Sequence, residues 1–327
     1  MQLRQAITAL GAAVLGLTML APASLQAQAT YPVRPIKVVV GFPPGQATDI
    51  IARLMATKFS ESLGQPAVVD NRPGKGGSLG AELVAKSAPD GYTLLVSATA
   101  PLATNVNLYP NVGYNPATDF APISLMAWLP FVLVVNPAVP ANTVAELIAY
   151  AKGRPGALSY ASSGNGTTAH LTMEMFKRAA GLDILHVPYK GGVAALSDVM
   201  SGQLQMGWDT ALFLLPHIKA GKVRALATAS PARSPLMPEI PAAAETVPGF
   251  SSGAWLGLVA PAGTPRDIVN RLNSELHKFM KTPELTERLA ALGSEVLLST
   301  PDEFHEHIKR EMVKWGKAVK DSGTKLD

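Results

Sequence analysis

The segment from Val38 to Arg53 constrains the fold more than any other part of this chain. It reads Val-Val-Val-Gly-Phe-Pro-Pro-Gly-Gln-Ala-Thr-Asp-Ile-Ile-Ala-Arg. The β-branched run at 36–40 predicts a strand, and Pro43-Pro44-Gly45 cannot continue a hydrogen-bonded ladder, so the chain must turn there. Helical spacing follows, with Ile50, Ile51, Leu54, Met55 and Phe59 on one apolar stripe and Thr48 placed to cap it. A glycine loop that feeds a helix leaves backbone N–H groups pointing outward beside the positive end of the helix dipole, a setting for a carboxylate or phosphate. Most such junctions in α/β domains bind nothing, so the meaning of this one depends on whether the chain builds it a partner.

A partner is present at 162–170, Ser-Ser-Gly-Asn-Gly-Thr-Thr-Ala-His, which follows an expected strand at 158–161 and opens a helix packed through Leu171, Met175 and Phe176 and capped by Gly181. Elsewhere strands are expected at 67–70, 92–97, 184–187, 205–208, 223–228 and 255–260, alternating with helices and short loops. That pattern predicts parallel sheets with covered faces. Residues 100–119, with three prolines, read as irregular. The apolar run 123–135 exceeds an ordinary strand and serves two sheets in succession, which places one interdomain crossing near Trp128 and the return at 255–260. Helices are expected at 265–280, 283–292 and 301–320, each with a proline at or near its start.

The chain therefore divides into two α/β domains, 30–127 plus 254–327 and an inserted 128–253, with a cleft between them. Each aims a glycine loop at a helix N-terminus. Gly45, Gln46, Ala47 and Thr48 on one side and Ser163, Asn165, Gly166, Thr167 and Thr168 on the other form a clamp for one small anion if both loops face the cleft. His170, in the first turn of its helix, either touches the ligand or bonds a neighbouring backbone group. Asp49 is so near an anion site that a structural role, turned away to hold its loop, is expected.

Composition narrows the function. Of 327 residues, 47% are hydrophobic and 16% charged, which fits a soluble globular protein. Arg4, the apolar stretch 6–21 and Ala27-Gln28-Ala29 have the form of a secretory leader cleaved after Ala29, with an apolar core shorter than the roughly 20 residues of a spanning helix. Export to the periplasm follows. The formal charge of +4 drops to +3 without 1–29, too small a surplus for nucleic acid, and the basic residues of 309–320 interleave with acids on a solvated helix face. The sequence has no cysteine, so disulfides, thiolate metal sites and cysteine nucleophiles are excluded.

Other chemistries fit poorly. The loop at 74–80 lacks the Gly-Lys-Ser/Thr of a phosphate loop, and Lys75 sits inside it. Ser163, His170 and Asp209 suggest a hydrolytic triad, but there is no Gly-x-Ser-x-Gly elbow and no visible oxyanion hole. His305 and His307 diverge on a helix, and no metal-binding motif occurs. The expectation is a protein without catalysis, cofactor or metal.

Seven motifs then match one family. They are Tyr31-Pro32 with Pro35-Ile36; Gly41-Phe42-Pro43-Pro44-Gly45 with Asp49 and Ala52-Arg53; Asn71-Arg72-Pro73-Gly74 with Gly76-Gly77; Pro89-Asp90-Gly91-Tyr92-Thr93-Leu94; Ser162-Ser163-Gly164-Asn165-Gly166 with His170-Leu171; His186-Val187-Pro188-Tyr189-Lys190-Gly191; and Ala260-Pro261-Ala262-Gly263-Thr264-Pro265. Over the mature chain the sequence resembles the Bug proteins, periplasmic solute-binding components of tripartite tricarboxylate transporters. The resemblance implies a type II periplasmic binding protein fold, a monomer that holds a carboxylate between the first loop, including Phe42, and the 162–170 loop, and delivery to membrane transporter subunits or, alternatively, to a signalling partner. It also implies ordered waters bridging the ligand to the first loop and a cleft-facing Asp209. Two departures stand out: Gln46 where the family usually has glycine, and Trp208 where a smaller apolar residue is common. Trp208 near Phe42 suits an aromatic ligand, although core packing explains it more simply.

Overall fold

The computed structural model describes residues 31–291 and 293–322. The expected leader at 1–29 lies outside the described residues. Two sheets organise the rest. The first has six strands in the order β11-β4-β10-β3-β1-β2: β1 (Ile36–Val40), β2 (Ala67–Asn71), β3 (Thr93–Ala98), β4 (Phe120–Leu129), β10 (Ala254–Pro261) and β11 (Glu295–Val296). The second has five, β7-β6-β8-β5-β9: β5 (Phe131–Val135), β6 (Ser159–Ser162), β7 (Leu185–Pro188), β8 (Met206–Thr210) and β9 (Arg224–Thr228).

Each sheet centres on a parallel trio. In the first, β1 lies between β2 and β3; in the second, β6 lies between β7 and β8. The remaining pairs are antiparallel, so the expected parallel sheets are mixed ones. The cause is connectivity. A strand that enters a sheet directly from the other sheet, as β5 and β10 do, has no crossover helix to turn it into the common direction. The first crossing, expected near Trp128, comes at Pro130. Trp128 pairs with Trp255 and Glu295 inside the first sheet, and Phe131 already pairs with Thr210 in the second.

Nine α-helices lie among the described residues. Those that bear on function are α1 (Ala47–Leu63), α2 (Ser78–Ala85), α4 (Thr168–Ala180), α5 (Gly192–Met200), α6 (Ala211–Lys219) and, at the end of the chain, α9 (Pro301–Ser322); α3 (Val144–Lys152), α7 (Arg266–Met280) and α8 (Pro283–Ala291) complete the set. Residues 100–107 are wound into short π- and 3-10-helical turns where irregular chain was expected. The core of the first sheet joins Val39, Leu95, Phe120 and Val259 to Trp255, Phe304, Ile308 and Trp315, which brings α9 against β10. Val132, Val134, Ala161, Leu196 and Leu214 form the core of the second.

Candidate functional site

β1 and β6 end in the two glycine loops. The first loop is held from two directions. Asp49, buried in the first turn of α1, accepts the Gly45 N–H at 2.9 Å, pairs with Arg53 at 2.9 Å and accepts from Asn71 at 2.9 Å, while Asn71 also donates to the Phe42 carbonyl. Burial works against the Asp49 charge, but bonds from Arg53, Gly45 and Asn71 hold its carboxyl below the usual range. On the other side α2 touches the loop through bare backbone. A Cβ on Gly80 would stand 2.8 Å from the Gly41 Cα, so only glycine allows this approach.

α1 begins at Ala47 with Gln46 as N-cap, two residues before the expected Thr48, and no side chain caps it. The amides of its first turn have no intrahelical acceptor, so they stay available to a ligand. In the second loop the Thr167 hydroxyl donates to the Gly164 carbonyl at 2.8 Å, receives the Ser163 hydroxyl at 3.3 Å and caps the His170 N–H. That leaves the amides at the start of α4, at Thr168 and Ala169, without a helical acceptor.

Both helix starts border one chamber of about 70 Å³. Phe42, Gln46, Ala47 and Thr48 line it from the first loop; Ser163, Thr167, Thr168 and Ala169 from the second; Asp209, Thr210 and Phe213 from the end of β8 and α6. The crossing segments close it with Leu129, Phe131, Ala254 and Leu256, and Ala98 and Ala100 add to the floor. Among the described residues, no lysine, arginine or histidine is in this lining. An outer vestibule of about 430 Å³ shares Phe42, Gln46, Ser163 and Thr167 with the chamber and adds Lys75, Asn165, Tyr189 and Lys190.

Several candidates from the sequence stand elsewhere. Asn165 lines only the vestibule. The N–H groups of Gly45 and Gly166 are used inside their loops, toward Asp49 and toward His170 Nδ1. Trp208 is 2% exposed and packs on Phe176 and Phe250, with ring centroids 5.9 and 5.7 Å away. Neighbouring residues of a strand point to opposite faces, so Trp208 fills the core because Asp209 meets the chamber. The apolar wall from the crossings was missed. Its sequence signal was the apolar run through Pro130, where a chain that changes sheets must pass the space between them.

A family profile described as "Tripartite tricarboxylate transporter family receptor" matches residues 51–324. The chain belongs to this family. It is similar to Protein BugT of Bordetella pertussis (strain Tohama I), 40% identical over 91% of this chain and 92% of that protein. Among solved structures it resembles R. palustris Rpa4515 with adipate, at 38% identity and a TM-score of 0.88 over 90% of this chain and 100% of that one. It also resembles the periplasmic binding protein BugD, at 35% identity and a TM-score of 0.85 over 91% of this chain and 100% of that one. The fold is therefore that of the periplasmic binding proteins, two α/β domains, and the family is one of receptors.

Behind the second loop of this receptor stands a column of rings. Tyr160 stacks on His186 at 4.7 Å, and His186 on His170 at 4.0 Å. His186 Nε2 bonds the buried Ser162 hydroxyl at 2.7 Å, while His170 Nδ1 accepts the Gly166 N–H at 3.0 Å. That bond needs an unprotonated Nδ1, and the Ser163 hydroxyl donates to Thr167, not to His170. Burial, then the charge of Lys177, lowers the His170 pKa to about 4. Burial, then His170, lowers that of His186 to about 3. Each ring binds a proton more readily in the unfolded chain. Its contribution to stability is therefore complete above the ordinary value of 6.5 and is lost as the pH falls toward these folded values. In histidine-selective NMR both ring signals are expected to stay fixed from about pH 8 to about pH 5.5, where an ordinary histidine titrates. A midpoint near 6.5 for either would remove the neutral column.

Proposed function

We propose that this receptor is exported, loses its leader after Ala29, and works in the periplasm as a monomer. In this reading it captures a small aliphatic or aromatic mono- or dicarboxylate between lobes formed by 30–127 plus 254–327 and by 128–253, and delivers it to the membrane subunits of a tripartite tricarboxylate-type transporter. One observation carries the reading: two helix N-termini, one of them without a side-chain cap, border a single chamber whose lining contains no basic side chain among the described residues. Backbone donors at helix starts suit a carboxylate without a competing counter-ion, and the surrounding apolar wall suits its carbon skeleton. The adipate in the Rpa4515 structure supports the same chemistry. Gln46, Ala47, Thr48, Ser163 and Thr168 are the proposed anion contacts, and Phe42, Leu129, Phe131 and Phe213 the skeleton contacts. Asp49, His170 and Trp208 support these residues from behind. The roles proposed for these groups are binding roles, and no catalytic step is assigned to them.

Titration calorimetry with adipate and with benzoate tests the proposal, together with thermal unfolding in their presence. A ligand at about 100 times its Kd raises stability by roughly 2.7 kcal/mol. A hydrogen bond to a charged group is worth about 1.5–3 kcal/mol, so Ser163→Ala is expected to weaken binding about tenfold or more with the fold intact. Thr167→Ala removes a helix cap as well and should also lower stability. If no mono- or dicarboxylate shifts the melting temperature, carboxylate capture is wrong.

A further inference from the structure

The chamber has one feature that carboxylate capture does not use. Asp209, at the end of β8, puts an acid into a wall that otherwise offers donors and apolar surface. Its Oδ1 accepts the Thr210 N–H at 2.7 Å. Its Oδ2 lies against the bare backbone of α5, where a Cβ on Gly192 would come within 2.7 Å of it. The Gln46 amide nitrogen approaches the same point, 3.4 Å from that Cβ position, so the N-cap of α1 and the acid of β8 both come close to the start of α5. Nearby charges are committed elsewhere. Asp49 is bound to Arg53 and Asn71, His170 is buried behind its loop, and Lys75 and Lys190 line the vestibule instead.

We propose that Asp209 selects ligands bearing a hydrogen-bond donor, a hydroxyl or an ammonium, beyond the carboxylate held at the starts of α1 and α4. This rests on the carboxylate reading given above. Ionised carboxylate oxygens only accept hydrogen bonds, so a donor group gains a partner at Asp209 while a plain methyl terminus gains none. A second ionised carboxylate placed there meets like charge at close range with no cation among the described residues of the wall to offset it, and must extend to the lysines of the vestibule. Burial raises the Asp209 pKa to about 6, which leaves the group mostly ionised, and so an acceptor, at neutral pH. Gln46 belongs to the same selection. Its amide supplies both a donor and an acceptor beside Asp209 and narrows the passage against Gly191 and Gly192.

Titration calorimetry at neutral pH on the whole mature protein, with matched four- and six-carbon acids, decides the matter: the unsubstituted acid, its terminal hydroxy and amino derivatives, and the dicarboxylate. In at least one series the hydroxy or amino acid is expected to bind about tenfold or more tightly than the unsubstituted acid. Asp209→Asn keeps an acceptor for the Thr210 N–H and is expected to erase most of the preference for the amino acid. It should also improve binding of the dicarboxylate. Equal affinity for the unsubstituted and donor-bearing acids, or an unchanged ranking in Asp209→Asn, overturns the role of Asp209 while leaving carboxylate capture in place. Failure of every acid in both series to bind removes both readings together.

Discussion

Trp255→Ala is expected to lower the unfolding free energy by about 3–5 kcal/mol, the cost of emptying a large buried aromatic site. Trp255 is fully buried in β10, with β3 on one side and β4 on the other, and it packs edge-on against Phe304 and His307 of α9. Its indole N–H donates at 3.0 Å to Glu311, which also accepts from Trp315 at 2.9 Å. Burial disfavours the Glu311 charge, yet Lys314 and the two indole donors hold its carboxyl below the ordinary value, so the acid depends on this pair. The truncation thus opens a cavity and strips one donor from a partly buried carboxylate, and α9 should loosen first. Trp255→Phe keeps most of the ring, loses the N–H and should cost about 1–2 kcal/mol. Chemical denaturation gives both values, and hydrogen exchange shows whether the amides of α9 open ahead of the sheet. A loss below about 1.5 kcal/mol for Trp255→Ala would mean that α9 is not held through this contact. Ligand affinity separates the two faces of the strand. Ala254 and Leu256 meet the chamber while Trp255 points away from it, so folded Trp255→Phe should bind normally.

The sequence foretold the elements better than their assembly. The run through Val40, the prolines after it and the 3.6-residue stripe of α1 are local signals, and they placed the first junction within two residues. Gly181 was legible as a left-handed cap for the same reason, and its φ is +64°. Strand direction was not legible. It depends on which sheet a chain leaves and enters, and neither β5 nor β10 differs in composition from a parallel strand. The candidate site divides along the same line. Gln46, Ala47, Thr48, Ser163 and Thr168 could be read from their loops because a helix start announces its own free donors. Leu129, Phe131, Ala254 and Leu256 look like any core residues until the two sheets are set side by side. Trp208 and Asp209 show the limit most directly. They are adjacent, so only one of them can meet the chamber, and only the register of β8 against β5 and β6 decides which.

Ala47→Pro is expected to weaken carboxylate binding about ten- to a hundredfold without unfolding α1. Proline removes the N–H of the first helical residue, a group that has no acceptor within the helix, and its fixed φ suits that position. The preceding residue must be extended, and Gln46 already is, at φ −81° and ψ 164°. The first bond of the helix, from the Ile50 N–H to the Gln46 carbonyl at 3.0 Å, is untouched. The change therefore deletes one backbone donor from the chamber and puts a ring carbon in place of its hydrogen, while Thr48 keeps its own amide. A hydrogen bond to a charged acceptor is worth about 1.5–3 kcal/mol, which sets the expected range. Ala47→Gly keeps the N–H and serves as the control, with affinity close to that of the unaltered protein. Circular dichroism and thermal unfolding establish that the helix survives, and calorimetry with whichever acid binds most tightly gives the affinities. If Ala47→Pro binds that acid as well as Ala47→Gly does, the start of α1 is not what holds the ligand, and the anion must be held by the second loop alone.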